Sequence, residues 1–229
     1  MQKNRPIYQM LLMLAVALIA ASCSTTRRIA DGELLYTGVK RFDVIAAPGQ
    51  KVPSDVDDQV KNAIDVAPNN SLISPYLRYP FPVGLWVYNN WDSESKGFKH
   101  WLYEKLVEEP VLVSDVRPEV RIKMIDQILD NNGYFSSSVS YELLQGRNKK
   151  KAKVKYVVNA GPEYRLGNIE LLPDTCHLNH MIDSIARRGT YLVEGNRYCT
   201  DSLSAERTRI ANAVRNRGYY YFRPDYIEY

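Results

Sequence analysis

Four side chains toward the end of the sequence could do chemistry together: Cys176, His177, His180 and Cys199. Thiolates and imidazoles bind zinc, but these positions lack the compact Cys-x-x-Cys spacing that is typical of structural zinc sites. In an exported chain, two cysteines can instead form a disulfide. Each cysteine stands just before a predicted helix, so Cys176 and Cys199 are candidate disulfide partners, and we predict no metal. The pairing requires a close approach of their Cα atoms, which sequence spacing does not fix.

A third cysteine follows a short apolar segment at the N-terminus. Residues 10–21 are apolar, and about 12 such residues suit a signal peptide but are too few to span a bilayer. The segment Ile19–Cys23 resembles a bacterial lipobox, in which the cysteine becomes the acylated first residue. We predict a lipoprotein signal peptide over 1–22, lipid attachment at Cys23 and a linker over 23–33. The alternative is an ordinary secretory signal with an incidental cysteine.

The composition is that of a globular chain. The 229 residues are 45% hydrophobic and 24% charged, which excludes disorder, collagen-like sequence and a dense disulfide scaffold. A mean hydropathy of −0.36 excludes a polytopic helical membrane protein. The formal net charge of +4 includes Lys3 and Arg5 of the signal peptide, so the mature chain carries +2. A charge this small gives no reason to expect nucleic-acid binding.

Known catalytic motifs are absent from the sequence. It contains no Gly-x-Ser-x-Gly, no His-Glu-x-x-His and no phosphate-binding loop. None of His100, His177 and His180 has a nucleophile at a telling spacing. Neighbouring carboxylates such as Glu108 and Glu109 point apart on a helix. We therefore predict that the protein is not an enzyme and needs no cofactor.

One stretch of sequence pattern recurs after 85 residues. In both copies an amphipathic helix is predicted to end at a glycine, with a strand following at once. The matching positions are Ile125, Leu129, Asn131 and Gly133 in the first copy, and Ile210, Val214, Asn216 and Gly218 in the second.

The hydrophobic periodicity predicts two domains of the same kind. The first domain spans 34–160 and carries an insertion at about 67–114 between its helices. Its strands are predicted at 34–46, 135–143 and 152–158, and its helices at 54–65 and about 115–132. The second domain spans 161–229, with strands at 164–172 and 218–229 and helices at 176–188 and 201–217. The order is β-α-α-β-β in the first domain, and the second lacks its last strand.

This order, with a helix running into Gly-Tyr-Phe, resembles the POTRA domain of the BamA/TamA outer-membrane assembly family. The most specific residues are Glu206–Ile227; together with Cys23 and Asn69-Asn70 after Pro68, they are similar to lipid-anchored TamA-like proteins of Bacteroidetes. The resemblance implies an α+β fold of tandem units, each a three-stranded mixed sheet under two helices. In that family a C-terminal β-barrel follows, so we expect this chain to be the amino-terminal part of a longer protein.

The resemblance also implies a role in assembling or inserting outer-membrane proteins. The implied partners are unfolded outer-membrane proteins and a TamB-like inner-membrane protein. The residues after Cys23 lack the acidic cluster of surface-exported lipoproteins. We therefore expect a lipid anchor in the outer membrane, with the mature chain facing the periplasm.

The strands after the two Gly-Tyr pairs are the candidate binding edges. The edge of a sheet carries unpaired N–H and C=O groups, to which an extended client can add as another strand. The alternative is a purely structural, solvated strand, because most edges are protected rather than used. The candidate residues are Phe135, Ser137, Val139, Tyr141, Tyr219 and Tyr221.

Two further surfaces are candidates for contacts with a membrane or a partner. Arg147 and Lys149–Lys151 form a basic cluster in the predicted hairpin turn, which suits anionic headgroups or an acidic partner. Such a run is also typical of a solvated turn. The three tryptophans lie in the insertion, where they suit either an interfacial membrane contact or packing onto the first domain. This insertion also supports an alternative function, a free-standing exported lipoprotein that binds glycans or another envelope component.

Overall fold

The computed structural model describes residues 25–40, 42, 44–71, 79–91, 97–170 and 176–229. The predicted signal peptide and Cys23 lie outside these residues, as do parts of the insertion and the end of the strand predicted at 164–172. The described chain has the predicted α+β class, with a mixed sheet and helices.

The elements follow one another along the chain in the order expected of the first predicted domain. The strands are β1 (Leu35–Val39), β2 (Val44–Ala46), β3 (Ser138–Gln145) and β4 (Lys151–Gly161). The helices are α1 (Ser54–Ala63), α2 (Val83–Asn90), α3 (Phe98–Leu106), α4 (Val113–Val116), α5 (Pro118–Asn131), α6 (His177–Ala186), α7 (Thr200–Arg215) and a 3-10 helix (Pro224–Tyr226). Within the described ranges, no helix has the length and apolar character that a membrane crossing requires.

Strand β4 is the centre of the sheet. Strands β1 and β2 both pair with it in parallel, at Tyr36 opposite Ala152 and at Val44 opposite Val158. Strand β3 also pairs with β4, and the short connection 146–150 makes this pairing antiparallel, since parallel strands need a long crossover. Because β3 occupies one edge of β4, β1 and β2 share the other. The predicted strand 34–46 is formed as two short strands, β1 and β2, and each has a register shift against β4.

The described chain divides into two compact units. Unit 1 consists of the described residues of Met1–Asp43, Lys61–Lys123 and Ser140–Val157. Unit 2 consists of the described residues of Val44–Val60, Met124–Val139 and Val158–Tyr229. The predicted domain boundary after residue 160 stays a prediction.

Each unit has its own hydrophobic cluster. In unit 1, Ile29, Leu35 and Leu85 are buried together, with Leu112 packed against them. In unit 2 the cluster is built on Ile185, Ile210 and Val214, between helices α6 and α7. Leu178, Met181 and Ile182 of α6 pack against this cluster.

Helices α5 and α7 end in the same way, at the two glycines of the sequence repeat. Gly133 has φ 84° and Gly218 has φ 103°, which only glycine adopts readily. Beyond each glycine the next N–H reaches back to the last turn, from Tyr134 to the Leu129 carbonyl (2.9 Å) and from Tyr219 to the Val214 carbonyl (3.4 Å). This is the Schellman arrangement. The 85-residue repeat is therefore a repeat of backbone structure.

The predicted helix 115–132 is divided at Arg117. This residue has φ 49° and separates α4 from α5. The physical reason is Pro118, because a proline disfavours the helical conformation in the residue before it.

The strands predicted for the second domain are not formed in the described residues. Residues 218–229 contain turns and the 3-10 helix, closed by local bonds such as Phe222 N–H to the Tyr219 carbonyl (3.0 Å). Residues 164–170 hold only an isolated bridge between Arg165 and Arg197. A strand needs a neighbour to pair its backbone groups, and Pro224 also removes one N–H. Local turns satisfy these groups instead.

Candidate functional site

Strand β3 is a sheet edge whose position along β4 is fixed by two side-chain contacts. Asn159 lies 3.3 Å from the Ser138 hydroxyl, and the Lys155 ammonium lies 2.9 Å from the Glu142 carboxylate. Among the described residues, β4 is the strand with which β3 pairs. Since successive backbone groups of a strand point to opposite edges, alternate N–H and C=O groups of β3 face away from β4.

The two faces of β3 differ. Val139 and Tyr141 are half-buried, whereas Ser138 and Ser140 are exposed. This alternation ends at Leu143, which is exposed although the pattern predicts it on the same face as Tyr141. The Tyr141 hydroxyl donates a hydrogen bond to the Glu119 carboxylate, which raises the pKa of Tyr141 and lowers the pKa of Glu119. This bond ties β3 to the first turn of α5 and leaves the opposite face to solvent.

Two of the predicted edge residues, Phe135 and Ser137, lie before β3 rather than in it. The Phe135 ring packs edge-on against Tyr164 and Tyr198, with centroids 5.3 and 5.0 Å apart. The Ser137 hydroxyl lies 2.6 Å from the Asp126 carboxylate of α5. The prediction for these two residues was wrong, because a turn over residues 134–137 separates α5 from the strand.

The edge role predicted for Tyr219 and Tyr221 is also wrong, since neither lies in a strand. The Tyr219 hydroxyl lies 3.5 Å from Nδ1 of His177. Tyr221 is 92% exposed, while its neighbour Phe222 packs against the cluster of α6 and α7. This segment therefore packs against α6 and α7 through Phe222 and forms no strand to which a client could add.

The other edge of the sheet, at β1, is covered by the end of the insertion. The Tyr36 N–H donates to the Val111 carbonyl (2.8 Å), and the Val113 N–H donates to the Leu34 carbonyl (2.9 Å). These bonds form an antiparallel bridge that centres on Leu35 and Leu112. The sequence did not indicate this pairing, because the segment is too short to show an alternating pattern.

One side chain, Asn69, holds the same segment. Its Oδ1 accepts a hydrogen bond from the Val111 N–H (2.9 Å), and its Nδ2 donates to the Glu109 carbonyl (2.6 Å). The Tyr79 hydroxyl donates to the carbonyl of Asn69 itself (3.0 Å). Asn69 entered the sequence analysis only as part of a family resemblance, and nothing in its local sequence predicts these contacts.

The basic cluster is only partly a free surface. Arg147 and Lys149 are exposed in the β3–β4 turn, as predicted. The Lys150 ammonium instead contacts the Asp31 carboxylate at 3.1 Å. Lys151 lies at the start of β4 and lines a cavity of about 310 Å³ within unit 1. Whether the two exposed side chains meet a headgroup, a partner or solvent stays a prediction.

The predicted tryptophan surface is divided as well. Trp86 and Trp91 pack edge to face with their rings 6.1 Å apart, and both are half-buried. Trp101 is 51% exposed and stacks on Phe98 with a centroid distance of 5.5 Å. The first pair fits packing within the insertion, and the second pair is the part that remains available for an outside contact.

The cysteines and histidines do not form a site in the structure. Cys176 and Cys199 are free thiols, and each directly precedes a helix as predicted. The disulfide predicted as a candidate is therefore not formed here. His177 and His180 are exposed. In the part of the chain that the structure describes, no group of three or more metal-ligating side chains occurs.

A polar joint in unit 2 was missed by the sequence analysis. The Tyr164 N–H donates to the Gly133 carbonyl (2.9 Å), and the Tyr198 N–H donates to the Tyr164 carbonyl (3.0 Å). Beside it the Arg197 guanidinium contacts the Asp55 carboxylate at 2.8 Å, and this hydrogen bond lowers the pKa of Asp55. These contacts link residues far apart in sequence, so periodicity carries no sign of them.

Comparisons with known proteins gave one structural similarity. No protein-family model matches the chain, and no curated protein matches it. The chain is similar to a crystal structure of BamA POTRA3-5 from Haemophilus influenzae, with 12% sequence identity and a TM-score of 0.34. The alignment covers 83% of this chain and 57% of that one, so the chain spans little more than half the length of that structure.

Proposed function

We propose that this chain is a POTRA-like module of the bacterial envelope that holds extended polypeptides by strand addition at β3. The observation that carries this proposal is the asymmetry of the sheet. Within the described chain β3 pairs with β4 alone, whereas backbone bonds from Val111 and Val113 cover β1 on the other side. An extended segment can therefore add at β3.

The chemistry of β3 suits clients of many sequences. Main-chain hydrogen bonds do not depend on the client's side chains, which favours unfolded outer-membrane proteins as clients. The exposed face of β3 begins with Ser138 and Ser140, whose small side chains leave room for an incoming strand. The half-buried Val139 and Tyr141 hold β3 in place while the client adds.

The proposed location follows from the N-terminal sequence. Acylation of Cys23 would anchor the chain in the outer membrane, with the described residues in the periplasm. The proposed functional class is then that of lipid-anchored TamA-like proteins, with a TamB-like protein as the proposed inner-membrane partner. Support for this part comes from the lipobox and the residue pattern of 206–227 alone.

The test uses two proline variants at neighbouring positions of β3, Val139→Pro and Ser140→Pro. Because successive N–H groups point to opposite edges, one variant loses a bond with β4 and the other loses only an outward N–H. A photo-crosslinking residue at Leu143, which is 39% exposed, reports capture of a urea-unfolded outer-membrane β-barrel protein. The same residue at Asp201 on α7 is the control.

The variant that loses only an outward N–H should keep the melting temperature of the wild type and lose most of the crosslinking at Leu143. The other proline variant should melt at a lower temperature, because it loses a hydrogen bond between β3 and β4. If the outward variant captures the client as well as the wild type does, strand addition at β3 is refuted.

A further inference from the structure

The segment that covers β1 has its backbone donors paired from one end to the other. The Val111 N–H is bound by the Asn69 side chain and the Val113 N–H by the Leu34 carbonyl. Between them, the Leu112 N–H donates to the Asp115 carboxylate at 3.0 Å. Pro110 has no N–H at all. Residues 110–113 therefore present no unpaired N–H to another strand.

The side chain of Asn69 binds backbone groups of residues 109–113 that β1 does not bind. Its side-chain amide has an acceptor oxygen and an NH2 group, and it uses the oxygen on the Val111 N–H and one of the two N–H donors on the Glu109 carbonyl. The amide thus ties down the segment on both sides of Pro110, 40 residues further along the chain. The Tyr79 hydroxyl fixes the backbone of Asn69 in turn.

We propose that Asn69 is a positioning residue that clasps residues 109–113 over β1 and thereby confines strand addition to β3. This inference rests on the proposed function for its consequence, but the clasp itself is a property of unit 1. A sheet with two open edges would let a client add on both sides and would let copies of the chain pair with one another. With residues 109–113 over β1, the strands left open are β2, which has three residues, and β3, which has eight and is therefore the one long enough to hold a client.

Neighbouring asparagines provide a matched control. Asn70 also bonds to the backbone, with its Nδ2 donating to the Tyr79 carbonyl (3.1 Å), but it does not touch residues 109–113 through that bond. Asn69→Ala removes both contacts of the clasp, whereas Asn70→Ala removes a bond of similar kind elsewhere. Asn69→Asp keeps an acceptor for the Val111 N–H and loses the donor for the Glu109 carbonyl.

The test measures amide hydrogen exchange in the full mature chain. In Asn69→Ala, exchange at Tyr36, Val111 and Val113 should be at least about tenfold faster than in the wild type. The two hydrogen bonds of the Asn69 side chain are missing in this variant, so the segment opens at a lower cost in free energy. Exchange at Ile125 in α5 should not change. Asn70→Ala should leave all four amides at the wild-type rate, and Asn69→Asp should lie between wild type and Asn69→Ala.

A second measurement tests the consequence, with a synthetic ten-residue peptide of alternating valine and threonine as probe. Native mass spectrometry should count one bound peptide on the wild type and two on Asn69→Ala. Equal exchange rates in Asn69→Ala and Asn70→Ala would overturn the clasp. Faster exchange with still one bound peptide would overturn the confinement to β3. If no variant binds the peptide, the proposed function fails, while the exchange rates still decide the clasp.

Discussion

At the scale of single residues, Glu206 is the clearest case of a side chain whose role depends on distant partners. It is 1% exposed, yet its carboxylate is satisfied by the Arg209 guanidinium (2.6 Å), the Thr190 hydroxyl (3.0 Å) and the Tyr191 N–H (3.1 Å). Burial alone would raise the pKa of Glu206, but these donors and the charge of Arg209 outweigh it, so the pKa lies below its ordinary value. Glu206 thereby ties the loop before residue 192 to α7.

This arrangement predicts an acid-sensitive contribution to stability. Because the folded pKa of Glu206 is lowered, its contribution is present above the ordinary glutamate pKa of about 4.3 and is lost as the pH falls through the folded value. Glu206→Gln should lower the free energy of unfolding at pH 7 by about 1.5 to 3 kcal/mol. Urea unfolding at pH 7 and at pH 3 measures the free energy of unfolding of the wild type and of Glu206→Gln.

The control for this experiment is Glu194→Gln, an exposed glutamate of the same loop region. Glu194→Gln should follow the wild type at both pH values, whereas the gap between wild type and Glu206→Gln should narrow at pH 3. A gap that is the same at both pH values would show that the loss is one of packing and not of charge.

Single residues also show how far the sequence could lead. The glycines at 133 and 218 were predicted, because a helix end is a local feature with a local signal. The contacts of Asn69 and Glu206 were not predicted. Their partners lie 40 and about 15 residues away, and an asparagine or glutamate has the same appearance in sequence whether it is bound or solvated.

At the scale of elements, the ends of α5 and α7 share one geometry but lie in different surroundings. A Cβ atom added to Gly133 would lie 3.0 Å from the carbonyl oxygens of Tyr164 and Tyr198. A Cβ atom added to Gly218 would meet no atom of another residue within 4 Å. The end of α5 therefore packs closely against the polar joint of unit 2, whereas the end of α7 only terminates its helix.

The two glycines make a matched pair for mutation. Gly218→Ala should cost about 1 to 2 kcal/mol, the penalty of a left-handed conformation for a residue with a side chain. Gly133→Ala should cost at least about 1 kcal/mol more, because the joint must also move to admit the methyl group. Unfolding free energies from denaturant titration measure both, and equal losses would contradict the close approach at Gly133.

Helices were predicted better than strands, for a physical reason. In an amphipathic helix, the buried apolar residues recur every three to four positions, and this period is visible in the sequence of the helix alone. Helices α1, α6 and α7 therefore lie close to their predicted ranges. A strand is defined by its neighbour. The alternation in 164–172 and 218–229 indicates a half-buried extended segment, but in the described chain neither segment has a strand beside it.

At the scale of the whole molecule, a predicted membrane anchor and an open strand of the sheet belong to the same chain. The anchor is a prediction from the sequence around Cys23, which lies outside the described residues. The open strand is β3, whereas residues 109–113 cover β1 on the other side of the sheet. Under the proposed function, the anchor holds the chain at a membrane and β3 receives one extended segment.

The anchor predicts where the protein fractionates. Cys23→Ser should move the mature chain from the membrane pellet to the soluble periplasmic fraction, because a single serine cannot carry the acyl chains that hold it. Labelling of cells with an alkyne fatty acid should mark the wild type and not the variant. Cys199→Ser is the control, since that thiol directly precedes α7 and should not change fractionation. A wild type without the label would contradict the anchor.

The most direct test of strand addition is amide hydrogen exchange along β3 with and without the valine–threonine peptide. If the peptide adds as a strand at β3, alternate amides between Ser138 and Gln145 should exchange at least about tenfold more slowly when it is bound, and the amides of β1 should not change. Slower exchange at every second residue is the mark of a strand that has gained a neighbour. Unchanged exchange in β3, at peptide concentrations that saturate binding, would contradict the central claim.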